Sequence, residues 1–361
     1  MSRTDDIIDK TKRKEPEAKK WKVVVGIVVG LVLAVSMFMC VWGFVLTPII
    51  DDYVSNSKQI VAVYDFYDLK VGEERTAVYF VGSSIIGCGI DSDEINRILR
   101  NDGYNITVYN LGIDGDNALE RSLQIKNIID SNPALVVFGE TYNRVLPETW
   151  NEESVFLVRD RIIVDSDALY LYSDDELDTL LKTSTIFDNK RFTVSAIRQS
   201  LAGIQKINVS ASTDMYALPK GDNWRYTEEN NPNYKGYEGI VEEANSGSWS
   251  PVITNEMTNA KEAVIYNAQT LMDAGIPVVI LNMPLHPLIS EHVTEESREN
   301  FFALLDSTGA LWYDYEFACP DDEYWYKDGH HIAPETGAKM FAPQMAELII
   351  ELEESNVIHH S

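Results

Sequence analysis

The stretch TAVYFVGSSIIG, residues 76–87, decides how this chain folds. Thr76–Val81 is an apolar run rich in β-branched and aromatic side chains and too short for a helix, which marks a strand buried on both faces. Gly82-Ser83-Ser84 breaks the run as a tight turn, and Asp91–Arg100 reads as a helix. The unit then repeats. Ile106–Tyr109 is a second strand, Asn110–Gly115 its turn, and a helix continues to Ile129. Ala134–Phe138 is a third strand that ends at Gly139. Continuous apolar strands alternating with helices predict an α/β domain whose parallel sheet is covered on both faces.

Downstream, the pattern lapses between about 145 and 250. Ser166–Lys182 and Phe192–Ile207 read as helical, whereas residues 208–250 are rich in Asn, Gly, Ser and Tyr without a period. This long insertion reads as a lid or a mobile loop. The α/β pattern returns with a helix at Asn259–Ala274, a strand at Pro277–Leu281, a helix at Glu295–Ser307 and a short strand at Leu311–Tyr313. Pro334 is expected to start a terminal helix, at or near its first turn.

Upstream lies a different kind of segment. Val23–Ile50 carries no charge over 28 residues, about 42 Å of helix at 1.5 Å per residue, against a hydrocarbon core of about 30 Å. It exceeds the apolar region of a cleaved signal peptide, so an uncleaved anchor is expected. Eight of the first 22 residues are Lys or Arg, and Asp51-Asp52 follow the span. The positive-inside rule then places the N-terminus in the cytoplasm and the body outside. The expected organisation is a basic tail at 1–22, a transmembrane helix at 23–48, a stalk at 49–75 and an α/β domain at 76–355. Gly26, Gly30 and Ala34 share one helix face and would admit a second helix closely.

Charge narrows the partners. The net formal charge is −27, and the residues after position 22 hold 52 acids against 22 bases. Such a surface repels phosphate backbones and argues against nucleic acid as a partner. The three cysteines, Cys40, Cys88 and Cys319, are too few for a disulfide scaffold and lack zinc spacing; a Cys88–Cys319 bridge and two free buried thiols are both open, the second favoured. Asn105-Ile-Thr and Asn208-Val-Ser fit the glycosylation pattern. No cofactor loop and no metal motif is present, and Asp114 and Asp116 read as solvated acids on one turn.

In a parallel sheet the site forms beyond the carboxyl ends of the strands. Four polar, Gly-containing segments fall there: Gly82-Ser83-Ser84, Asn110–Gly115, Gly139–Asn143 and Asp328-Gly-His-His331. Ser84, after a strand-ending Gly, is placed as a nucleophile or as a helix cap. His331, with Asp328 three residues before it, supplies a base and the group that orients it, and His330 is the alternative base. His286 reads as structural.

The order of these segments resembles the SGNH/GDSL hydrolase superfamily: Ser after the first strand, Gly after the second, Gly-x-Asn after the third, and Asp-x-x-His near the C-terminus. The resemblance implies a flavodoxin-like three-layer α/β/α domain. It implies Ser84 as nucleophile, His331 as general base and Asp328 as its orienting acid. The backbone N–H groups of Ser84 and Gly115 and the Asn143 side chain would form the oxyanion hole. Two positions depart from the pattern: Ser83 stands where Asp is usual, and Thr141 stands where Asn is usual, with Asn143 two residues later. The Gly-Ser-Ser form and the anchor look like the membrane-anchored DltD-like members, and Tyr326–Phe341 is similar to the terminal block of alginate-acetylation proteins. That implies O-acyl transfer or ester hydrolysis on cell-envelope glycans or polymers. A multispan O-acyltransferase would then be the partner for the Gly26/Gly30/Ala34 face. The alternatives are an inactive domain of the same fold that serves as a scaffold, and an acidic solute-binding or adhesion domain.

Overall fold

The computed structural model describes residues 15–41, 59–146, 161–181, 236–246, 251–320, 325–334 and 336–359, with single positions at 155 and 158. They fall into two units. Within the first, the described residues form one helix, Glu15–Val41. Its stretch Lys20–Phe38 has a mean hydropathy of 2.3 and is long and apolar enough to cross a membrane, as a span or as a signal sequence. Valine, leucine and isoleucine side chains are exposed all round it, as lipid contact requires and a soluble helix avoids. The helix starts inside the basic tail, upstream of the expected 23–48. Pro48 and Asp51-Asp52 lie outside the described residues.

The second unit is built on five parallel strands: β1 (Thr76–Gly82), β2 (Ile106–Gly112), β3 (Leu135–Glu140), β4 (Val278–Asn282) and β5 (Leu311–Asp314). Their spatial order is β2-β1-β3-β4-β5. This is the flavodoxin-like order, and it places the topological switch point between β1 and β3.

Helices cover both faces. Val78 and Phe80 of β1 face a core shared with the terminal helix Gly337–Glu354 through Phe341 and Met345. Tyr79, the residue between them, points to the other face, where its ring lies 5.4 Å from Phe66 and 5.9 Å from Tyr109. The alternation of successive residues between two buried faces is the reason the strand has no polar side.

Phe66 belongs to a helix, Gln59–Tyr67, with Val61, Val63, Tyr64 and Tyr67 also buried. Residues 59–75, expected as stalk, are therefore part of the domain, because their aromatic side chains complete the layer over β1 and β2. Further corrections concern element ends. The terminal helix begins at Gly337, so Pro334 precedes it and lies outside its first turn. The helix expected to run to Ile129 is two short ones, Ala118–Ser122 and Ile125–Ser131. Ser166–Leu171 is a 3-10 turn followed by the helix Asp174–Leu181. Phe192–Ile207 and Asn208 lie outside the described residues. Cys88 and Cys319 are separate buried thiols, which decides against a bridge.

Candidate active site

The turn that carries Ser84 is seated on glycines. In the parallel register Gly82 of β1 pairs with Gly112 of β2 and with Gly139 of β3, so three glycines lie abreast at the carboxyl edge. The short helix Ser84–Gly89 rests directly on that row. A Cβ at Gly112 would stand 2.3 Å from the Gly87 nitrogen, and one at Gly139 would stand 2.2 Å from Ile86 Cδ1. No side chain fits there.

Polar groups then hold the short helix at both ends. At its start the Ser83 hydroxyl accepts from the Ile85 N–H at 3.3 Å. Ser83 thus caps the short helix, a position that Ser and Asp fill about equally well. At its end Asn110 Nδ2 donates to the carbonyls of Ile86, Gly87 and Ile90 at 3.1, 3.1 and 2.8 Å. Asn110 Oδ1 in turn accepts from the Gly112 N–H at 3.1 Å. A single amide locks the end of β2 to the nucleophile helix, a role its place in a polar turn did not disclose.

Asp328 and His331 come from the far end of the chain. Tyr326 and Ile332 form an antiparallel bridge that closes this loop. Asp328 Oδ1 accepts from the backbone N–H groups of His330 and His331 at 3.1 and 2.8 Å, an Asx-type turn that fixes the loop from inside. The His331 Nδ1 lies 2.9 Å from Asp328 Oδ2, and its Nε2 lies 2.8 Å from Ser84 Oγ. A carboxylate only accepts, so Nδ1 carries the proton and Nε2 presents its lone pair to the serine hydroxyl. Ser84, Asp328 and His331 are thereby brought into one hydrogen-bonded line, and His331 rather than His330 faces the serine.

The electrostatics suit that line. Burial acts to raise the Asp328 carboxyl, but the hydrogen bond from His331 and the fields of His331 and His330 outweigh it and hold the group well below the usual carboxylate range. Burial pushes His330 down to about 3, against the attraction of Asp328 and with the help of His331, Arg144 and Lys327. Its ring, 3.9 Å from that of His331, stays a neutral wall of the site. Asp328, His330 and His331 place one ligand atom each within 4.8 Å of one another. The first and last of these residues already serve the serine.

Gly115 and Asn143 lie in the loops after β2 and β3, the two neighbours of β1. Gly115 has φ +77°, which favours glycine. Asn143 is half-buried in the 3-10 turn Tyr142–Val145, and Thr141, where Asn is usual, is buried before it. Desolvation raises the Asp114 carboxyl, while His331, Lys327 and Arg144 pull it down, so Asp114 belongs to the rim of this site. Asp116 is not solvated, contrary to expectation. It is buried and ion-paired with Arg121, which the fold carries in from the next helix. His286 is structural as expected: it is buried, and its Nδ1 accepts from the Leu288 N–H at 3.2 Å.

No family model matches the chain, and no curated protein matches it. Among solved structures, one titled "Crystal Structure of TesA" is similar at a TM-score of 0.35 and 13% identity, covering 76% of this chain and 96% of that chain. A likeness at that TM-score carries no argument about function, and the reading of the site rests on its own geometry.

Proposed function

We propose that this chain is a membrane-anchored, extracytoplasmic serine acyl transferase or esterase of the SGNH type, acting on O-acyl groups of cell-envelope glycans or polymers. One observation carries the chemistry. Ser84 and Asp328, far apart in sequence, bond the two opposite nitrogens of His331 at 2.8 and 2.9 Å. That is the arrangement a serine needs to act as a nucleophile at neutral pH.

The reaction follows from the atoms. His331 Nε2 takes the Ser84 hydroxyl proton as Oγ bonds to the acyl carbon. The resulting oxyanion is assigned to the N–H groups of Ser84 and Gly115 and to the Asn143 side chain. Asp328 stabilises the imidazolium without taking the proton. His331 then passes the proton to the departing alcohol, leaving an acyl-serine. An acceptor hydroxyl (transferase) or water (esterase) next attacks the acyl-serine and gives its proton to His331, which returns it to Ser84 Oγ as the Oγ–acyl bond breaks. The anchor and the acidic surface support a site facing neutral or cationic envelope polymers. The Gly26/Gly30/Ala34 face is proposed as the contact for a multispan O-acyltransferase.

The test uses the full chain in native membranes and in detergent. Wild type should react with a fluorophosphonate serine probe and turn over p-nitrophenyl acetate, while Ser84→Ala and His331→Ala should do neither. Folded wild type that stays unlabelled even in native membranes would move the chain to the scaffold reading, in which Thr141 marks a lost oxyanion donor. If labelling succeeds, release of acyl product to glycan hydroxyls rather than to water separates transferase from esterase.

A further inference from the structure

Arg121 lies in the Ala118–Ser122 helix with no exposed surface. Its Nε donates to Asp116 Oδ2 at 2.9 Å, its Nη1 pairs with Glu140 Oε1, and its guanidinium stands 5.3 Å from the centroid of the Phe138 ring. Asp116 follows Gly115 directly. Glu140 ends β3 and directly precedes Thr141-Tyr142-Asn143. A single guanidinium therefore cross-links the two segments that flank Ser84 on either side of β1. Gln124 Nε2 donates to the second Asp116 oxygen at 3.1 Å, and the Tyr67 hydroxyl donates to Gln124 at 3.0 Å, which ties the assembly to the helix before β1.

The 141–143 turn is held from the other side as well. The Tyr142 hydroxyl donates to Glu316 Oε2 at 2.5 Å. Glu316 is itself fully buried and gripped by Arg298 through Nη2 at 2.7 Å and Nε at 3.1 Å. The turn thus sits between two buried charge clusters.

Stability alone explains this poorly. Buried ion pairs often contribute no more than well-packed apolar residues of the same volume, and here two carboxylates share one guanidinium. Among the described residues, Arg121 Nη2 and Glu140 Oε2 are buried without a hydrogen-bond partner. What the clusters do supply is fixed geometry at two loops, where displacement by about 1 Å can cost about 10²-fold in rate.

We infer that Arg121 is a positioning residue: through Asp116 and Glu140 it holds the Gly115 loop and the Thr141–Asn143 turn in the geometry that stabilises the oxyanion formed on Ser84, with Tyr142–Glu316 as the opposing brace. The inference rests on the acyl-transfer reading above. It is tested on the full chain in detergent with p-nitrophenyl acetate and the fluorophosphonate probe. Glu140→Gln keeps volume and removes the charge from one tether, and Tyr142→Phe removes the hydroxyl of the opposing brace; Arg121→Lys and Arg121→Met grade the loss at the centre.

In variants whose circular dichroism and melting show a folded protein at assay temperature, kcat and the labelling rate should fall about tenfold or more, with KM within about twofold of wild type. Arg121→Lys should retain more activity than Arg121→Met. Folded Glu140→Gln and Tyr142→Phe proteins with wild-type kcat would overturn the inference alone, as would activity losses that merely follow the unfolded fraction. Wild type that neither labels nor turns over, in detergent and in native membranes alike, would remove the acyl-transfer reading and this inference with it.

Discussion

Asp328 accepts hydrogen bonds from the His331 ring and from the backbone N–H groups of His330 and His331, so one carboxylate sets both the tautomer and the loop that carries it. Asp328→Asn should keep the loop but let an amide NH₂ face Nδ1, stabilising the tautomer in which Nε2 is protonated. Turnover should then fall by about 10⁴-fold with binding nearly unchanged, as kcat and KM measured separately would show. His330 carries a different expectation. Its folded pKa is pushed down to about 3 by burial, while in the unfolded chain a histidine takes up its proton near 6.5. Between those pH values the unfolded state binds more protons, so stability rises with pH and is lost as pH falls through the window. At pH 5 the loss from this group is about 2 kcal/mol. The Asp328 carboxyl, held low, adds its own loss only below about pH 4. Melting temperatures at pH 7 and pH 5 should therefore drop less for His330→Gln than for wild type; equal drops would refute the assignment. Asp328 and His331 were legible as a local pair three residues apart, whereas Ser84 was singled out only through the resemblance in the order of the four segments. Asp116 was not, since an acid on a glycine-containing turn is solvated unless the fold brings a cation to it.

At the scale of elements, the short Ser84 helix depends on an edge free of side chains. A methyl at position 112 would meet backbone, which cannot move aside as a flexible side chain can. Gly112→Ala should displace Ser84 from His331, abolish fluorophosphonate labelling and lower the melting temperature. A labelled, equally stable Gly112→Ala protein would show that the helix does not need this approach. Asn110→Ala would take the side-chain donor from the Gly87 and Ile90 carbonyls, while the Ile86 carbonyl keeps the Ile90 N–H; each buried group left unsatisfied costs about 1–3 kcal/mol. The strands themselves were legible from their apolar runs and their glycine ends. The helix Gln59–Tyr67 was not, because a nine-residue apolar-aromatic segment has no period that separates a stalk from a packed layer.

For the whole molecule, the question is whether the Glu15–Val41 helix remains in the chain. A mature protein that keeps an N-terminal tag, pellets with membranes and resists alkaline extraction would identify an anchor. Loss of the tag on export would identify a signal sequence. Protease added to intact cells or spheroplasts should digest an epitope in the 236–246 region and spare one at the N-terminus if the domain faces outward.

The sequence by itself determined the alternation of strand and helix and the apolar N-terminal helix, because each is written in contiguous residues whose hydropathy needs no partner to be read; Ser84, Asp328 and His331 were named through the resemblance in segment order. Only the tertiary structure decided that Gly82, Gly112 and Gly139 stand abreast, that Asn110 ties the nucleophile helix to β2, and that Arg121 and Glu316 grip the flanking loops. Those facts depend on strand register and on which distant charges share a buried volume, and register is set by the packing of the whole sheet rather than by any one segment.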